Sequence, residues 1–202
     1  MTRILALLCS PRPDGVSDSV ARLFAEGAAG AGAGVRLEPL RRYAIAPCTG
    51  CGACSRPPHH CVLARGDDQA EELFALLRAA PLALLAAPVY FYALPARFKA
   101  FIDRGQRFWA ARNGRSPLSP KPVLAALVAG RPRGGQLFNG ALLTLNYFLA
   151  PHNARIRDTR LLRGLDRPED LWARPEVCDA LRAWGRHWGE RLAALAQGGR
   201  MQ

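Results

Sequence analysis

The sequence holds no apolar run long enough to cross a bilayer, although half of its 202 residues are hydrophobic. It also has no export signal of the usual kind: Ile4 to Leu8 is too short for a signal-peptide core, and no cleavage-site pattern follows it. No internal repeat and no low-complexity linker divides the chain, whose length suits one domain with a real core. Acidic residues are scarce, 16 against 28 lysines and arginines, for a formal net charge of +12. Lysine itself is almost missing, with Lys99 and Lys121 the only two. The arginines that make up the excess are scattered. Without a long basic block or regular aromatic interleaving, they describe a solvated surface or an anionic ligand's surroundings rather than a nucleic-acid groove.

What is present alternates. Thr2 to Cys9 reads as a buried strand ended by a Ser-Pro break, and a helix is expected from about Ser17 to Ala29 with Val20, Leu23 and Phe24 on one face. Further strands are expected at Val35–Leu40, Leu82–Ala87, Lys121–Ala129 and, more weakly, Asn153–Leu162. Helices are expected from Asp67-Asp68 through Arg78, around Phe98, Phe101 and Ile102, from Gly135 to about Leu149, and over Glu176–Ala196. The glycine run Gly27–Gly34 ends a helix instead of following a strand, so it is read as a flexible helix exit and not as a dinucleotide loop. The polar stretch Arg104–Ser119, with Trp109, is a candidate cover for a site or contact with a neighbour. Trp172, Trp184 and Trp188 are expected to serve as core or subunit contacts, and Cys9 and Cys178 as buried packing thiols. Strands and helices in alternation imply a parallel sheet covered on both faces. Right-handed crossovers with a ligand loop after the first strand fit the order 2-1-3-4-5.

Three stretches carry chemistry. Ser10 to Ser19 is a hydroxyl-rich turn between a strand and a helix N-terminus. Free amides and the helix dipole favour an anion there, with Ser10, Ser17 and Arg12 as side-chain donors. The competing reading is an ordinary cap made by Ser17 or Asp18. Pro88-Val89-Tyr90-Phe91-Tyr92 lies at the exit of a parallel strand, where open α/β sheets bind ligands. A flat ring could lie along it, or its aromatics could pack elsewhere. Cys48, Cys51, Cys54 and Cys61 are separated by two, two and six residues, with Gly50 and Gly52 allowing tight turns between them. That spacing suits a cubane iron–sulfur cluster; four thiolates also suit zinc, and a loop without metal is the third reading.

Taken together, Ser10-Pro11-Arg12 with Ser17, the cysteine run from Pro47 with Asp67-Asp68, and Pro88-Val89-Tyr90-Phe91 running into Leu94-Pro95-Ala96-Arg97-Phe98-Lys99-Ala100-Phe101-Ile102-Asp103-Arg104 give a chain that resembles the NAD(P)H-dependent FMN reductases. More narrowly, it resembles the iron–sulfur flavoproteins of the flavodoxin-like family. The resemblance spans about residues 3 to 130. It implies a three-layer flavodoxin-like α/β sandwich with a five-stranded parallel sheet, in one FMN-binding domain carrying a cysteine-rich loop at 47–66. It places the FMN phosphate on Ser10, Arg12 and Ser17. Val16 stands where relatives often have Asn, leaving a backbone amide to serve. It lays the isoalloxazine ring along Pro88, Val89, Tyr90, Phe91 and Tyr92, with Gly130 near its other side, and it makes Cys48, Cys51, Cys54 and Cys61 the ligands of a [4Fe-4S] cluster. NAD(P)H is the implied electron donor. A small-molecule acceptor or a ferredoxin is the implied partner, and the implied assembly is a homodimer or homotetramer with Trp109 and the Trp184/Trp188 helix as candidate contacts; cysteines clustered at metal spacing, without an export signal, point to a cytoplasmic setting. No catalytic side chain is expected, because hydride transfer to a flavin needs no general base.

Overall fold

A computed structural model describes residues 3–112 and 119–198. The expected Pro-containing exit at 113–118 lies outside the described residues. Five parallel strands, β1 (Arg3–Leu8), β2 (Gly34–Pro39), β3 (Ala83–Pro88), β4 (Lys121–Ala129) and β5 (Ala154–Arg163), form one sheet in the order β2-β1-β3-β4-β5. Its flavodoxin-like topology reverses direction between β1 and β3.

The central strands read as continuous apolar runs because both of their faces are covered, and the period of two sorts the side chains. Leu5, Leu7 and Cys9 with Ala83, Leu85, Val123 and Leu127 pack one core. Above it lie α2 (Ala70–Ala79), α3 (Ala96–Arg104), α4 (Gln106–Ala110) and α5 (Asn139–Leu149). Ile4, Ala6 and Leu8 with Leu84, Leu124 and Val128 pack the other, under α1 (Val16–Gly30), α6 (Pro168–Trp172) and α7 (Pro175–Gly198).

The pairing of α1 with α7 overturns the reading of the glycine run. Gly27 belongs to the helix, and a Cβ there would sit 1.8 Å from the Arg182 carbonyl oxygen; on the opposite helix a Cβ on Gly185 would sit 1.9 Å from that of Phe24. The glycine run therefore begins as a close backbone crossing and not as a flexible exit, since any side chain would force the helices apart. Trp184 and Trp188 are buried within this chain, and both indole N–H groups donate to Asp158 Oδ2, at 2.7 and 3.2 Å. They are core residues, one of the two roles expected of them, and their own side chains are not offered to a subunit. Trp172, by contrast, is half-exposed. Cys9 and Cys178 are buried, as their apolar surroundings predict.

Candidate functional site

The first β–α turn forms an anion cradle. Ser10 and Ser17 are buried, and the turn folds back so that the Arg12 amide donates to Ser10 Oγ at 3.1 Å. The N-cap of α1 is Gly15, and no side chain caps the helix. The amides of Val16, Ser17 and Asp18 meet no acceptor among the described residues, which removes the reading of Ser17 or Asp18 as an ordinary cap. Beneath the cradle, Asp18 is fully buried and pairs with Arg41 at 2.9 Å, and Arg41 also reaches the Ser10 carbonyl. Burial raises the Asp18 carboxyl above its ordinary range despite the Arg41 guanidinium. The resulting hollow of about 100 Å³ is lined by Ser10, Arg12, Val16 and Ser17 together with Pro88, Val89, Tyr90 and Gly130. The structure thus brings eight of the expected ligand-binding residues to one pocket.

A second, larger hollow of about 960 Å³ adjoins it and shares Val89, Tyr90, Gly130 and Asp166. Its wall is the tight turn Tyr90–Ala93, closed by reciprocal backbone hydrogen bonds of 3.0 and 2.9 Å. Phe91 and Tyr92 occupy this turn with φ of 49° and 63°, a left-handed conformation that costs a bulky residue about 1–2 kcal/mol. The turn leaves the Phe91 and Tyr92 amides without acceptors among the described residues, and it projects the Phe91 ring into solvent. Tyr92 lines neither hollow. Its hydroxyl accepts from Arg131 at 3.3 Å and lies beside Gly134, tying the turn to the loop after β4. Arg131 borders the large hollow and not the anion cradle, so it belongs with the ring-sized space.

Sequence reasoning passed over Leu94 and Pro95, which floor the large hollow, and Leu165 and Asp166, which follow β5. The signal for the last two was positional: they leave the same C-terminal sheet edge as the other three loops.

The cysteine loop is built differently. Its neck is closed by a buried ion pair: Arg104, at the end of α3, donates to both oxygens of Asp68 at 2.6 and 2.9 Å, and to the Ala46 carbonyl at 3.0 Å. Asp68 also accepts from the Ala46 and Ala70 amides. Burial pushes the Asp68 carboxyl up, but the Arg104 guanidinium and these amides outweigh it and hold it below its ordinary value. This corrects the expectation that Asp67-Asp68 opens a helix. The helix begins at Ala70 with Glu71 and Glu72 in its first turn, and Asp68 serves the neck. Beyond the neck, Cys48 and Cys51 are exposed and Cys54 and Cys61 half-buried. Cys61 lies within electrostatic reach of Arg104 and borders a separate hollow of about 310 Å³ with His60, Glu71 and Arg107. Among the described residues no three His, Cys, Asp or Glu side chains are gathered closely enough to hold a metal. The four thiols share one loop, and no three of them are drawn together in it.

The sequence profile of the NADPH-dependent FMN reductases matches residues 2–152. An iron–sulfur flavoprotein of Methanosarcina thermophila is 39% identical over 92 residues, 46% of this chain and 44% of that protein. An FMN-dependent NADH:quinone oxidoreductase of Opitutus terrae is 35% identical over 119 residues, 52% of this chain and 54% of the relative. The matches thus span about half the length of these curated relatives. Among solved structures, NAD(P)H:quinone oxidoreductase from Methanothermobacter marburgensis superposes with a TM-score of 0.69 at 18% identity, covering 93% of this chain and 96% of that one. At that identity the likeness is one of fold.

Proposed function

The chain belongs to the NADPH-dependent FMN reductase family, and we propose that it is an FMN-dependent oxidoreductase that accepts electrons from a reduced nicotinamide and passes them to a small acceptor such as a quinone or free flavin. The observation that carries this reading is the junction of an uncapped, serine-lined anion cradle with a ring-sized hollow at the β1/β3 reversal of the sheet. The residues present fit FMN. Ser10, Ser17, Arg12 and the first amides of α1 would hold its phosphate, and the Pro88–Tyr92 turn and Gly130 would border its ring. Bound FMN supplies the hydride and electron chemistry. The protein's part is to bind and orient. The Phe91 amide offers a donor at the rim of the hollow, Leu94 and Pro95 give it a dry floor, and the open side leaves room for a second planar ring.

A second reading rests on the cysteine spacing and on the name of the Methanosarcina relative. It places a [4Fe-4S] cluster on Cys48, Cys51, Cys54 and Cys61 and makes the protein a carrier fed by a ferredoxin. Loading would require the loop to close on itself, and the flavin reading stands independently of it. Either reading implies a cytoplasmic setting and a homodimer or homotetramer. The exposed Leu143 and Tyr147 of α5, with Trp109 beside Tyr147, are the surface offered for contact.

The test is an anaerobic titration of the purified protein with FMN, followed by NADPH and then NADH, with iron and acid-labile sulfide assayed on the same sample. Stoichiometric FMN binding and bleaching of the flavin bands by nicotinamide are expected. No FMN binding overturns the proposal. FMN binding without bleaching by either nicotinamide, with about four irons per chain, favours the carrier.

A further inference from the structure

We propose that Asp166 is the residue that receives the polyhydroxyl chain between the phosphate and the ring of the bound flavin, an inference that rests on the FMN reading above. Four residues line both hollows: Val89, Tyr90, Gly130 and Asp166. They therefore mark the passage from the anion cradle to the ring-sized space. Of the four, only Asp166 carries a charge.

Its backbone is held from three sides. The Leu165 amide donates to the Ala129 carbonyl at 3.2 Å, the Gly164 amide to Arg131 at 3.3 Å, and the Asp166 amide to Asp170 Oδ2 at 2.8 Å. Arg174 adds a bond of 2.8 Å to the Gly164 carbonyl. The side chain packs over Gly130, where an added Cβ would come within 2.9 Å of Asp166 Oδ1. Glycine at 130 thus makes room for this carboxylate. The carboxylate of this exposed residue has no hydrogen-bond or ion-pair partner among the described residues, in a chain of net charge +12 and with Arg131 lining the same large hollow.

Asp166 is exposed, so water solvates its carboxylate in the free protein; a ligand lying across the passage has to replace that water with donors of its own, because a carboxylate only accepts hydrogen bonds and repels a second anion. Between its phosphate and its ring, FMN offers hydroxyl groups and nothing else that donates. Hydrogen bonds from hydroxyls to a charged acceptor are among the stronger ones, about tenfold to a hundredfold in affinity each.

The experiment compares two ligands on two proteins. FMN, and an isoalloxazine carrying a hydroxyl-free phosphopentyl chain, are titrated by fluorescence into the wild type and Asp166→Ala. The expected result is a loss of about tenfold to a hundredfold for FMN and less than about twofold for the hydroxyl-free ligand. Gly130→Ala, which pushes the carboxylate away, should weaken FMN in the same selective manner. Tighter FMN binding by Asp166→Ala, or equal losses for both ligands, overturns the proposal: the carboxylate would then merely repel phosphate or shape the pocket. Failure of the wild type to bind FMN at all overturns the functional reading itself, and this inference with it.

Discussion

The edge proposed for the flavin and the cysteine loop both occupy C-terminal-side connections of the same sheet, yet they are prepared to different degrees. At the flavin edge, donors are already aimed. The α1 amides are uncapped, Ser10 and Ser17 are buried in place, and two bulky residues sit in a strained turn that bares its amides. In the cysteine loop the organised groups are not the thiols. Arg104, Asp68 and Ala46 close its neck and short turns shape the backbone beyond, while Cys48 and Cys51 are exposed, Cys54 and Cys61 half-buried, and no three of the four thiols are gathered. Backbone donors are placed by the fold itself, whereas side-chain ligands of a cluster converge only when the metal binds, since ligand binding and loop ordering share one free energy.

The sharpest way to break the contrast is to remove the clamp. Arg104→Met leaves Asp68 buried without its partner, and a loss of about 3–5 kcal/mol is expected in urea unfolding. Arg104→Met combined with Asp68→Leu should recover much of it, because no charge is then stranded; full additivity of the two losses would show that the pair is not a unit.

Acid should act on the same half of the molecule. His152 is buried between Phe74, Phe108 and Phe148, and neither ring nitrogen finds a partner. Burial, together with the positive charges of Arg78, Lys121 and Arg107, pulls its pKa down to about 4. The unfolded chain takes up this proton near the ordinary 6.5 and the native one only near 4, so the contribution is complete above pH 6.5 and declines as pH falls to 4. That gap is worth about 3 kcal/mol. Comparing unfolding midpoints at pH 7 and 4.5 for wild type and His152→Phe checks it; a pH dependence unchanged by the substitution would remove His152 as the cause.

At the flavin edge the effects are smaller and appear in binding. Ser10→Ala should weaken FMN about tenfold, the loss of one hydrogen bond to a charged group, while leaving the unfolding midpoint near that of the wild type. Phe91→Gly should raise stability by about 1 kcal/mol, by relieving the left-handed conformation. If the midpoint falls instead, Phe91 is making contacts that outweigh its strain.

Much of the fold was legible because its signals are local. Apolar runs of strand length, helical faces and their alternation are properties of neighbouring residues, and with right-handed crossovers they lead to β2-β1-β3-β4-β5. The boundaries moved where a distant partner intervened. Asp68 left its helix for Arg104, and Gly27 stayed in α1 because α7 comes too close for a side chain. The cradle residues Ser10, Arg12 and Ser17 were readable because a cradle of this kind is one strand, one turn and one helix N-terminus. Asp166 was not, because nothing in its own neighbourhood tells that Gly130 lies opposite.

By itself, then, the sequence determined the layered α/β architecture, the anion-binding turn and the membership of four cysteines in one loop. These depend on periodicity and on spacing along the chain. Only the tertiary structure decided which of those residues meet. It joined the anion cradle to a ring-sized hollow, spent an acidic residue on a buried arginine, set an unpaired carboxylate between the two hollows and left no three of the thiols gathered. Contacts between residues tens of positions apart follow from close packing and from the pairing of buried charge, and neither is written in the spacing of any single segment.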